Sequence, residues 1–157
     1  MCGLALIPMS AIFIGRGYRR YLDLGMAELY GFEKLLIHME GKLSRYLTPI
    51  SDMLRDFSDE ALENAGFVEA AKNNSLNCAF SQVKKKLAID KNACEVLEKF
   101  FSDFGQGYKE DELRKISAAR EELEKIIAFC REELPKNEKT VSALLLAASL
   151  GAGILLI

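Results

Sequence analysis

One histidine, His38, is all the imidazole in this 157-residue chain. With no second histidine, no Cys-His pair and no metal-ligand spacing beside it, His38 reads as a surface or boundary residue of a helix rather than a catalytic one. Phosphate loops are missing too. Gly105-Gln106-Gly107 lacks the third glycine of a dinucleotide motif and any following Gly-Lys-Ser/Thr, and no nucleophile elbow occurs. Cysteine is scarce. Cys78, Cys94 and Cys130 are too scattered for a zinc or redox motif and are expected as reduced thiols buried in a core, while Cys2, preceded only by Met1, makes no lipoprotein site. A formal charge of −2 with interleaved signs leaves no electrostatic footprint for nucleic acid. Lys84-Lys85-Lys86 would point in three directions on a helix and reads as solvated. Glu121, Glu122, Glu124, Glu132 and Glu133, with Lys125 and Arg131 among them, read as an ion-paired helix face rather than paired catalytic carboxylates. Asn73-Asn74-Ser75 fits a glycosylation acceptor only formally, and a helix cap explains it better. These absences point to a protein that is not an enzyme, holds no cofactor or metal, takes no small-molecule substrate and works by contact.

Charge is also missing from both ends. All 21 basic and 23 acidic side chains lie between Arg16 and Lys139. Thr140 to Ile157 is uncharged, and as a helix it reaches about 27 Å, close to the ~30 Å hydrocarbon layer of a bilayer. A C-terminal transmembrane helix over 140–157 is therefore expected. Residues 1–15 are apolar as well but shorter, with Pro8 placed to kink them, so a short or tilted membrane segment is expected there. The arginines follow this stretch, whereas a signal peptide needs its charges in front. Because Arg16, Arg19 and Arg20 flank one segment and Arg131, Lys136 and Lys139 the other, the positive-inside bias places 16–139 in the cytoplasm as one domain, with both termini outside.

The middle is helical by periodicity. Leu22, Met26, Leu29, Phe32, Leu36, Met39, Leu43 and Leu47 form one stripe along a long amphipathic helix. Because Thr48 precedes Pro49 the helix ends by Leu47, and Thr48 is the expected N-cap, with Pro49 at the first helical position, of a short second helix to about Phe57. Ser58 is the expected cap of a third segment from Asp59 to about Asn73, interrupted at Gly66. Ser75 caps a fourth, carrying Leu76, Phe80, Val83 and Leu87. Asp90 caps a fifth, carrying Ala93, Val96, Leu97, Phe100, Phe101 and Phe104, which stops at Gly105-Gln106-Gly107. A last long helix starts near Lys109 behind the acidic turn Glu110 to Glu112, with Leu113, Ile116, Ala119, Leu123, Ile126 or Ile127, Cys130 and Leu134 apolar. Pro135 marks a break or hinge before the C-terminal apolar run. No stretch keeps a strand's two-residue period. The expected fold is all-α, an antiparallel helical bundle with two long helices and hydrophobic membrane segments at both termini.

Two passages carry a family resemblance. Leu36-x-x-Met39-Glu40-x-x-Leu43-x-x-x-x-Thr48-Pro49-Ile50 and Phe104-Gly105-x-Gly107-x-x-Glu110-x-Glu112-x-x-x-Ile116, with Gly151 and Gly153 in the final apolar run, resemble the stage III sporulation protein AB family of endospore-forming bacteria. The likeness covers nearly the whole chain. Lys42 stands where a second acid is expected after Glu40, Arg45 fills an aromatic slot with Tyr46 one place late, and Tyr108 replaces an Asp. The resemblance implies a membrane-anchored component of the channel-like assembly between mother cell and forespore, in the mother-cell membrane. By analogy with the inner-membrane platform protein of type II secretion, its cytoplasmic domain would dock a secretion-type ATPase and other stage III proteins. The rival readings are a generic membrane-anchored helical scaffold unrelated to sporulation and a thiol-dependent enzyme. If the protein acts through a surface, the candidate partner contact is the turn with its acidic helix start: Gly105, Gly107, Tyr108, Glu110 and Glu112.

Overall fold

The computed structural model describes the backbone of residues 6–45 and 50–155 and the side chains of residues 17, 19–45 and 52–133. The described residues form helices and no strand: α1 Leu6–Arg45, α2 Ile50–Met53, α3 Glu60–Asn64, α4 Phe67–Asn73, α5 Leu76–Val83, α6 Lys91–Asp103 and α7 Lys109–Leu155. Chain contacts divide it into two compact units, Leu24–Ala128 and the pairing of Met1–Asp23 with Phe129–Ile157.

In the unit Leu24–Ala128 the periodic stripes are the core. Leu29, Phe32, Leu36, Met39 and Leu43 of α1 are buried, as are Ile116, Ala119, Leu123 and Ile127 of α7. Ile127 rather than Ile126 therefore continues the α7 stripe. Short helices fill the middle, with α3 against α4, α4 against α5 and α5 against α6. Their focus is Phe32, whose ring lies 5.2 Å from Phe67, 5.9 Å from Phe80 and 6.2 Å from Phe101. Edge-on and tilted ring pairs of this kind add stabilisation beyond the area they bury, and here one residue of α1 gathers α4, α5 and α6.

Caps and close approaches fix the short helices. Ser75 and Asp90 accept from the backbone N–H of Cys78 and Ala93 at 3.4 and 2.7 Å, as their positions predict. The expectation of Ser58 as the third cap is corrected: Asp59 accepts from Ala61 and Leu62, while Ser58 Oγ donates to Glu63 at 2.7 Å. Asp59 wins because its carboxylate also pairs with Lys34 of α1 at 2.9 Å. Gly31 makes room for that pair, since a Cβ there would stand 2.6 Å from Asp59 Oδ1. Gly66 splits α3 from α4 with a φ of 80°, a left-handed conformation that glycine adopts without steric cost.

Other expectations need correction. Pro8 was expected to kink the N-terminal stretch, but it is the third residue of α1, where a helix N–H has no intrahelical partner to lose. The break expected at Pro135 is absent, as α7 runs 47 residues to Leu155. A proline inside a helix removes one hydrogen bond and costs about 3 kcal/mol, which long helical stretches on both sides can absorb. The three described cysteines are not buried. Cys78 is exposed and Cys94 and Cys130 are half-buried, since each lies on the flank of its helix stripe. Lys84, Lys85 and Lys86 occupy the turn after α5, where Lys84 pairs with Glu98 at 2.6 Å and the other two face solvent. Thr48 and Pro49 lie outside the described residues. So do the side chains of 1–15 and 140–157, the expected membrane segments. Among the described residues no helix is long and apolar enough to cross a membrane.

Candidate interaction site

His38 takes the boundary place expected of it. Its Nε2 donates to the Met53 carbonyl at 2.8 Å and its ring rests on Phe57. The carboxylates of α7 pair along the helix, Glu121 with Lys125 at 2.8 Å and Glu124 with Arg120 at 3.2 Å. Among the described residues no group of histidine, cysteine and acidic side chains has metal-binding geometry.

The turn between α6 and α7 is the most elaborated surface feature. Helix α6 ends when Phe104 leaves the helical conformation, and Gly105 follows with a φ of 92°. Glu112, four residues into α7, then folds its carboxylate back over the turn: Gly105 N–H donates to Oε2 at 2.8 Å and Gly107 N–H to Oε1 at 2.7 Å. Lys115 closes the arrangement. Its Nζ donates to Glu112 Oε1 at 2.9 Å and to the Asp103 carbonyl at 2.6 Å, tying the end of α6 to the start of α7. A Cβ on Gly107 would lie 2.8 Å from Glu112 Oε1, so any side chain there would displace the carboxylate. One glycine is demanded by conformation, the other by space.

Of the five residues expected to form a contact surface, Gly105, Gly107, Tyr108 and Glu110 are exposed. Glu112 is not. It is only 4 % exposed, because a side chain that reaches back to the amides preceding its own helix turns inward, much as the glutamate of a capping box does. Burial pushes its carboxyl upward, but Lys115 and the two glycine amides outweigh burial and hold it below the ordinary carboxylate value. The rigid frame carries Tyr108 outward at 86 % exposure, more than any other large hydrophobic residue described. A hollow at the same turn is lined by Gln106, Gly107, Asp111, Arg114, Lys115 and Ala118.

A second glutamate, expected off the apolar stripe of the first long helix, is buried instead. Glu28 of α1 is 2 % exposed and accepts from the backbone N–H of Ala88 at 2.6 Å. Gly25, one turn earlier, lets that loop come close, for a Cβ there would stand 2.5 Å from the Ala88 carbonyl oxygen. Glycine and glutamate three residues apart on one helix face was the available signal, and it has no meaning until the loop partner is known.

Fold and turn together define an all-helical protein that displays a tyrosine on a braced, glycine-bearing turn. The family model of stage III sporulation protein AB matches residues 1–157. The chain belongs to that family, and with it to the proteins of stage III of sporulation. No curated protein and no solved structure matches the chain.

Proposed function

We propose that this protein is a non-enzymatic platform of the channel-like assembly between mother cell and forespore, anchored in the mother-cell membrane by its apolar ends and docking a secretion-type ATPase and other stage III proteins through its cytoplasmic helices. Family membership supports a place beside other stage III proteins and removes the rival reading of a scaffold unrelated to sporulation. The uncharged runs 1–15 and 140–157 support the anchor. Within Leu24–Ala128, an antiparallel arrangement of α1 and α7 is supported by two links that run in opposite order along them: Lys109 to the Ser44 carbonyl at 2.9 Å and Arg120 to Glu40 at 2.6 Å.

The observation that carries the docking reading is Tyr108. The fold commits Gly105, Gly107, Glu112 and Lys115 to holding its turn, yet leaves the phenol ring almost wholly in water. Exposed aromatic anchors on rigid backbone are the residues that protein interfaces use most. In sporulating cells, Tyr108→Ala with Glu110→Lys in the full chain is expected to abolish spore formation and capture of the other stage III proteins, with helix content and melting temperature unchanged. Normal spore yield with intact capture would reduce the turn to a helix cap.

A further inference from the structure

Resting on the reading of residues 1–15 as a membrane segment, we infer that Arg16-Gly17-Tyr18-Arg19-Arg20-Tyr21 docks on anionic phospholipid, its guanidinium groups on headgroup phosphates and Tyr21 in the interfacial layer. Three features of the chain carry this. First, the segment follows the apolar run directly, and no acidic residue occurs before Asp23, so its charge is wholly positive. The corresponding stretch at the other end differs: Arg131, Lys136 and Lys139 are interleaved with Glu132, Glu133 and Glu138. Charge complementarity to an anionic surface is thus confined to α1. Second, Arg19 and Arg20 are exposed on α1. Third, Tyr21, one of the five large hydrophobic side chains exposed among the described residues, follows the arginines directly and is 54 % exposed. Aromatic side chains at the edge of an apolar segment are characteristic of the headgroup level, and basic residues beside them add attraction to anionic lipid.

The chain contains no tryptophan, so Tyr21→Trp in the full protein places a single fluorescent reporter in the segment. On phosphatidylcholine vesicles its emission is expected to shift to the blue, and phosphatidylglycerol in the vesicles is expected to tighten association roughly a hundredfold at low salt, about fivefold for each arginine. Added salt should erase that gain by screening. Replacing Arg16, Arg19 and Arg20 by Gln is expected to remove the preference for phosphatidylglycerol while leaving the shift on phosphatidylcholine. Replacing Arg131, Lys136 and Lys139 by Gln should leave the preference in place. No blue shift on either vesicle would overturn the membrane reading itself. A shift of equal affinity on both vesicles, unchanged by the α1 substitutions, would overturn the lipid proposal and leave the anchor standing. Displacement by inorganic phosphate at constant ionic strength would also overturn it, marking a site for the free anion instead.

Discussion

Glu28 and Glu112 are nearly equally buried, at 2 % and 4 % exposure, and each accepts from main-chain amides, yet their carboxyl groups are driven in opposite directions. Glu28 meets one amide, that of Ala88, and burial raises it above its ordinary value. Glu112 meets two amides and the Lys115 ammonium, and is held below it. Both are removed from water, Glu28 more deeply, and Glu112 alone has a cation and a second amide to offset the loss, so depth of burial and the number and charge of the donors together set the direction. The difference follows from what each glutamate does. Glu112 supplies the acceptor that a glycine turn needs, with a cation in place to match it. Glu28 fixes the loop after α5 against α1 at a point where Gly25 already admits the Ala88 carbonyl.

A carboxylate placed in the same core with no donor sets the upper end of this scale. Leu36 and Leu123 are fully buried in apolar surroundings, and Leu36→Asp or Leu123→Asp is expected to destabilise by about 4 kcal/mol or more, through an unpaired buried acid. Circular-dichroism melts of the full chain in detergent check this. An unchanged midpoint for both would show that the two stripes are not a shared core, and the glutamates could not then be compared on a common scale.

Next in size is Glu112→Gln. A glutamine oxygen can accept from one glycine amide, but its NH2 group then faces the other, and Lys115 loses its counter-charge. The expected loss is about 1–3 kcal/mol, with the protection of the Gly105 and Gly107 amides against hydrogen exchange falling first. Retained protection at both amides would mean that the turn stands without its carboxylate.

The helices were legible because each announces itself locally: the Leu29 to Leu43 and Ile116 to Ile127 stripes, the caps Ser75 and Asp90, the stop at Gly105 and the start at Lys109 all rest on residues within one or two turns. The candidate site was half legible for the same reason. Gly105, Tyr108 and Glu110 could be placed on an exposed turn from composition alone. Glu112 was misplaced on that surface, since only three-dimensional closure turns its carboxylate inward. Asp59 over Ser58, and the meeting of Glu28 with Ala88, depend on partners 25 and 60 residues away. No local pattern encodes those distances.

Glu28→Gln is the smallest change and the sharpest test of the contrast. A glutamine oxygen can still accept from the single Ala88 amide, while the titrating carboxyl disappears. The variant is therefore expected within about 1 kcal/mol of the parent, or above it, since it keeps the hydrogen bond to Ala88 and carries no carboxyl whose ionisation burial opposes. The pH dependence fixes the sign. For a carboxyl raised in the folded state, the native protein binds its proton more tightly than the unfolded chain. Its contribution is fully present below the unfolded value of about 4.5 and is lost as pH rises through the higher folded value. Glu112 runs the other way: its contribution is present above about 4.5 and disappears as pH falls through the lowered folded value. Melting temperatures across this range should thus show Glu28→Gln gaining on the parent as pH rises from 4.5 toward neutrality, and Glu112→Gln approaching the parent only as pH falls below it. If Glu28→Gln instead loses as much as Glu112→Gln at neutral pH, the Ala88 amide alone satisfies a buried carboxylate, and the count of donors does not separate the two sites.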